Sequence, residues 1–244
     1  MSPLLLSIVI QVLLIVHVIK TGRSWIWVWV IALLPVVGTV AYVAVELMPE
    51  LLGGRGARRT ARNLGRMLNP QGELRRLETA ARVTGNVESR QRLAEELVRQ
   101  GRYDDAINEY RAILTGLYEH DPNMMLGLAR AQFLKGEATA ARTTLDDLIR
   151  LNPNFKSAEG HLLYARALEA EGNVQKALEE YAVLAPYYPG AEAAVRYAQL
   201  LEAQGRNDDA RKVVEELLEE ARIAPAHYRR AQKTWLETAE RLLR

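Results

Sequence analysis

Three adjacent acid pairs, Asp104-Asp105, Asp146-Asp147 and Asp208-Asp209, come nearest in this sequence to the paired carboxylates of general acid/base catalysis. Helix-start and solvated-face roles are the expectation for all three. The four histidines offer no more chemistry. His161 falls at an early helix position facing its hairpin partner, where a core histidine is expected. His120 precedes Asp121-Pro122 in a loop, with no second ligand at metal-binding spacing. The chain has no Cys, which removes thiolate ligands, thiol nucleophiles and disulfides. It also lacks a glycine-rich phosphate loop, a serine nucleophile elbow and a zinc motif. A net charge of +2 is too balanced to argue for nucleic acid. The expectation is a protein that is not an enzyme, with no catalytic, cofactor-binding or metal residues and no cofactor.

The elements around these residues repeat. Gly101, Gly136, Gly172 and Gly205 are each followed five residues later by alanine, at Ala106, Ala141, Ala177 and Ala210. Successive glycines lie 35, 36 and 33 residues apart. A period near 34 is that of stacked helical hairpins, which recognise partners rather than perform reactions. Each Gly permits the left-handed conformation that ends a first helix. Asp104, Asp105, Asn173, Asn207 and Asp208 then fall at second-helix starts, where side chains or charges are expected to satisfy exposed amides. Each motif Ala stays small where two helices cross.

A second register agrees. Seven residues before each Gly stand Ala94, Ala129, Ala165 and Ala198, preceded by Leu93, Leu128, Tyr164 and Tyr197. Four residues beyond each motif Ala come Tyr110, Leu145, Tyr181 and Val214, and three further on Ile113, Leu148, Leu184 and Leu217. These spacings give each second helix its apolar stripe, so Tyr110 and Tyr181 read as core. Pro153 and Pro189 close the middle units. The later Pro122 and Pro225 predict second helices one turn longer in the outer units.

Over residues 87–225 this pattern resembles the tetratricopeptide repeat. The resemblance implies an all-α, right-handed α-solenoid of about four helix pairs with capping helices. A leading helix is expected within 73–86 and a closing helix over 226–244. The sequence departs from the family where Arg90, Met125, His161 and Ala194 replace a large aromatic. In this family the first helices line the concave face. Glu95, Arg99, Asn123, Arg130, Phe133, Arg166, Glu169, Gln199 and Glu202 are the positions expected there. Arg130 and Arg166 share one phase of successive units, suited to receiving a partner's carboxylate or helix. Salt bridges to Glu169, Glu202 or helix neighbours are the competing expectation. Leu126 and Leu162 stand where the basic residue of a chaperone-tail clamp would be, so no such clamp is expected.

The first fifty residues are different in kind. Only Lys20, Arg23, Glu46 and Glu50 are charged there. Residues 4–19 and 25–47 are apolar runs joined by Lys20-Thr-Gly-Arg-Ser, which predicts a two-helix transmembrane anchor over 1–50. Trp25, Trp27 and Trp29 suit the headgroup layer, and Pro35 and Gly38 interrupt the second run. Together with Tyr42, this arrangement resembles the membrane segment ahead of phospholipase D-type cardiolipin synthases. That class's catalytic His-x-Lys motif is absent, so the resemblance implies an anchor without the chemistry. Arg55, Arg58, Arg59, Arg62 and Arg66 in the linker 51–72 place the repeats on the cytoplasmic side of a bacterial inner membrane.

The sequence thus predicts a two-pass, membrane-anchored scaffold or adaptor with a protein partner, lipid contact through the hairpin, and no nucleic acid. A homo-oligomer is left open. The alternatives are a periplasm-facing envelope-assembly adaptor and a noncatalytic subunit of a membrane lipid-modifying complex.

Overall fold

The computed structural model describes residues 14–16, 18, 20, 26–33 and 70–243. The chain divides into two compact units, Met1–Glu73 and Leu74–Arg244. In the first, helix α1 (Ile26–Leu33) buries Ile31 against Val18, with Leu14, Ile15 and Val28 around them. Trp27 lies within α1, and Trp29 is exposed. The other expected anchor residues, Trp25, Pro35, Gly38 and Tyr42, lie outside the described residues, as does the linker through residue 69. Among the described residues no helix is long and apolar enough to cross a membrane.

The second unit is all-helical, with no strand among the described residues. Helix α2 (Pro70–Thr84) leads into four antiparallel pairs. These are α3 (Val87–Arg99) with α4 (Tyr103–Ile113), α5 (Pro122–Lys135) with α6 (Ala138–Leu151), α7 (Ala158–Ala170) with α8 (Val174–Leu184), and α9 (Glu192–Ala203) with α10 (Asn207–Ile223). Each second helix packs on the next first helix, so the hairpins form a row. The chain closes with α11 (Ala226–Ala231) and α12 (Lys233–Leu242), two helices where one was expected. Trp235, Leu236, Leu242 and Leu243 pack on the last hairpins, covering apolar surface that a solenoid end would otherwise expose.

The four hairpin turns share one geometry. Gly101, Gly136, Gly172 and Gly205 all have positive φ, from 74° to 94°. The residue after each glycine donates its N–H to a carbonyl five residues back, at 2.9 Å in every unit. That bond closes the first helix as a Schellman turn. The small residues at the crossings behave as their spacing predicts. Ala94, Ala129, Ala165, Ala198, Ala106, Ala141 and Ala177 are fully buried, and Ala210 nearly so.

Two local expectations are corrected. The second helices are not capped by Asp or Asn side chains, although Asp104, Asp105, Asp208 and Asp209 do place negative charge in the first turns of α4 and α10. Their cap positions are Arg102, Glu137, Asn173 and Arg206, none of which makes a side-chain cap bond. Their ψ values of 58° to 65° differ from the extended ψ of Asn86, Asp121 and Ser157, which do cap first helices. Asp105 and Asp209 instead accept hydrogen bonds from Arg102 and Arg206 at 2.7 Å. The second correction concerns length. The last unit's α10 is long as expected, but α4 stops at Ile113. The extra residues of the first unit form a 3₁₀ turn, Gly116–Tyr118, opened by Gly116 at φ 56°. Pro122 begins the next helix rather than ending the previous one, behind the cap Asp121.

The buried tyrosines carry a pH signature. Burial, with help from the Glu95 charge, pushes the Tyr110 phenol up to about 12. Burial and carboxylate neighbours do the same for Tyr164, bonded to Asp146, and Tyr188, bonded to Glu159. In the unfolded chain tyrosine ionises near 10. Between about pH 10 and 12 the folded chain therefore holds more protons than the unfolded one. Stability is intact below that window and falls as pH rises through it. Thermal midpoints measured against pH should drop above about pH 10, and less steeply in Tyr110→Phe. A midpoint that stays level through the window would contradict this.

Candidate functional site

The first helices carry all nine predicted site residues, but the structure assembles only three of them into a site. Arg130 and Phe133 on α5 and Arg166 on α7 line one hollow of about 250 Å³, with Leu134, Glu159, Leu162 and Leu163. The Arg166 guanidinium lies over the Phe133 ring, 4.8 Å from its centroid. Such stacking fixes the plane of the fork while leaving N–H groups free. Its one ion pair among the described residues, to Glu192 Oε1, is long at 3.7 Å. Arg130 is exposed and has no carboxylate partner among the described residues. The expected salt bridges from these arginines to Glu169 and Glu202 are not formed. Two arginines on neighbouring hairpins thus line one hollow with an aromatic ring, a set of side chains suited to a carboxylate-bearing segment.

The remaining positions are scattered or committed elsewhere. Glu95 is exposed on α3 and accepts from Gln91 at 3.0 Å. Arg99 pairs with the buried Glu96, whose other oxygen accepts from Gln100 at 2.9 Å. Asn123 sits at the exposed start of α5, its backbone N–H held by Asp121. Glu169 accepts a 2.7 Å hydrogen bond from the buried Tyr181 hydroxyl and so serves the hairpin's interior. Gln199 and Glu202 are exposed on α9.

His161 is not the simple core residue its position predicts. It is half-buried in a second cavity of about 470 Å³, lined also by Tyr164, Phe155, Ile149, Glu180 and Tyr187. Nδ1 meets the Tyr187 hydroxyl and Nε2 lies 2.6 Å from Glu180 Oε2. Both ring nitrogens thus have hydrogen-bond partners within the protein. The contacts tie α7 to α8 and to the segment after it. Among the described residues no group of three or more His, Cys, Asp or Glu has metal-binding geometry. The sequence offered no signal for Tyr187, which lies outside the repeat phases.

No curated protein matches the chain. Among solved structures, a crystal structure of MamA is 22% identical and superposes with a TM-score of 0.56, covering 69% of this chain and 95% of that one. TTC0263, a thermophilic TPR protein of Thermus thermophilus, is 20% identical with a TM-score of 0.52, over 73% of this chain and 96% of its own. MamA of Desulfovibrio magneticus RS-1, from residue 41 to its end, is 16% identical with a TM-score of 0.57, over 68% and 93%. At these identities the likeness is one of fold. The family model of the tetratricopeptide repeat matches residues 92–154, 139–192 and 162–227, more than half of the chain. With the four glycine turns and paired alanine crossings in place, the chain belongs to the tetratricopeptide repeat family.

Proposed function

We propose that the protein is a membrane-tethered adaptor whose repeats capture a protein partner through the hollow between α5 and α7. The observation that carries this reading is Arg130, a guanidinium without a carboxylate partner among the described residues, lining the same hollow as Arg166 and Phe133. A partner presenting Asp, Glu or a C-terminal carboxylate gains a charge-assisted, two-pronged contact there, and Phe133 and Leu134 add apolar surface. The role is recognition rather than catalysis. The tether reading is supported by the apolar runs 4–19 and 25–47 and by the packing of Val18 on Ile31. The arginines of 55–66 favour a cytoplasmic repeat domain. A bilayer tether raises the effective concentration of the repeats for membrane-bound partners.

A photo-crosslinking amino acid at Leu134, which is exposed beside the hollow, tests the reading in the full-length chain in its own membranes. A discrete protein adduct is expected, reduced about tenfold or more by Arg130→Glu with Arg166→Glu, with the helical melting curve unchanged. An adduct indifferent to the double charge reversal would remove this hollow from the function. Loss of the chain from carbonate-washed membranes would remove the tether. Alkaline phosphatase activity fused after Arg244 would overturn the cytoplasmic orientation in favour of a periplasm-facing adaptor.

A further inference from the structure

The leading helix α2 has two faces of different character. Leu74, Leu77 and Ala81 recur along one side and pack into the first hydrophobic cluster, with Leu74 and Ala81 buried. Arg75, Arg76, Thr79 and Val83 fall on the opposite side, with Arg82 at its edge beside Glu78, Ala81 and Glu109, and those four and Arg82 are exposed. None of the three arginines has a carboxylate partner among the described residues. The nearby Glu78 faces Arg102 at 3.3 Å instead. Thr79 donates its hydroxyl back to the Arg75 carbonyl at 2.8 Å, so its methyl is what remains outward. Val83, 77% exposed, stands among these arginines. A shallow hollow runs along this face between Arg75, Arg76, Thr79, Ala80, Val83 and Thr84.

We infer that this face of α2 rests on an anionic lipid surface. The inference rests on the tethered reading above. The face is short and shallow, its exposed charges are arginines with Glu78 only at the margin, and it has no aromatic anchor of the kind that dominates protein interfaces. With the apolar side of α2 packed into the repeats, its outward arginines suit electrostatic attraction to anionic headgroups rather than insertion among them. The chain leading into it adds five arginines between 55 and 66 with no acid among them. Even fully extended, residues 48–69 span at most about 80 Å, so α2 stays within that distance of a bilayer that holds residue 47. Contact of α2 with the headgroups holds one end of the repeat row at the bilayer. Each surface arginine contributes about a factor of five to partitioning onto anionic lipid, so the three together contribute about 100-fold.

The chain's lack of cysteine permits a clean test. Full-length Val83→Cys, labelled with an environment-sensitive fluorophore, is reconstituted into vesicles of phosphatidylcholine with or without phosphatidylglycerol. Emission should shift to the blue in the anionic vesicles and return in high salt. It should be unchanged in neutral vesicles, and unchanged for the same label at Ile223→Cys near the far end of the row. Arg75→Glu, Arg76→Glu and Arg82→Glu combined in the Val83→Cys protein should abolish the shift while leaving the helical melting curve as it was. Equal emission in both lipids, a shift that survives the charge reversal, or a shift caused by duplex DNA and not by anionic vesicles would each overturn the inference. Retention on neutral vesicles after carbonate washing reports separately on the tether. If that fails, anionic vesicles added to the free protein still decide the role of the α2 face.

Discussion

Gly127→Leu should be among the most destabilising single changes in the protein, and Tyr110→Leu should rescue it. A Cβ placed on Gly127 would lie 2.5 Å from both Cε1 and Cζ of the Tyr110 ring and 2.8 Å from its hydroxyl oxygen. Tyr110 is 5% exposed and packs within the core between α3, α4 and α5, which restricts its escape. Overpacking of this kind costs about 1–3 kcal/mol, and a whole leucine belongs at the top of that range. Replacing a helical glycine returns about 1 kcal/mol of propensity, which partly offsets the clash and makes Gly127→Ala the milder variant. The next interface supplies the design of the rescue. There Leu145 stands in the phase of Tyr110 and Leu163 in the phase of Gly127, and both pack in one cluster. Urea unfolding of wild type, both singles and the double should give a coupling energy of about 2 kcal/mol in favour of the leucine pair. Additive effects would show that the two positions do not share the volume the structure gives them.

Tyr181→Ala should cost about 3–5 kcal/mol, the range for removing a large buried ring. Tyr181 is fully buried in the cluster that joins α7, α8, α9, α10 and α12. Its hydroxyl donates to Glu169, and burial, first of all, pushes its phenol well above the ordinary tyrosine range. Tyr181→Phe keeps the ring and removes only that bond, which to a charged acceptor is worth about 1.5–3 kcal/mol; because water can reach Glu169, the low end applies. Repeat stability is close to a sum of units and nearest-neighbour interfaces. The alanine variant should therefore unfold in two steps, the C-terminal hairpins before the α3–α4 hairpin, as read by hydrogen exchange along the chain. A single cooperative transition at the wild-type midpoint would refute the assignment of this tyrosine to the joint.

The repeat was legible in the sequence because its determinants are local and recur. A glycine needing positive φ, a small residue at a crossing and an apolar stripe each leave a mark at fixed spacing. The caps were legible only as composition. Asp and Asn at Asp104, Asp105, Asn173 and Asn207 have the chemistry of a cap, but the Schellman turn fixes the preceding backbone at a ψ that does not aim a side chain at the helix end. The turns that do are those at Asn86, Asp121 and Ser157. The candidate site was legible as a face but not as a place. Arg130 and Arg166 were read from shared phase, whereas the engagement of Glu169 by Tyr181 depends on which way a long side chain bends across the hairpin. Spacing does not encode that.

The exchange of bulk between successive interfaces, Tyr110 over Gly127 and then Leu145 beside Leu163, also governs how such a chain can grow or shrink in evolution. The units look like interchangeable beads, yet each junction is a lock cut for one key. Clean excision of the second bead would bring Tyr110 onto Leu163, a large residue on a large one, though every turn and helix survived the cut. Duplicating the first would set the same ring against Arg92, the occupant of that phase in its own unit. The order of the beads is therefore written into the volumes at their seams, and a recombined row must be re-cut at each new seam before it can stand.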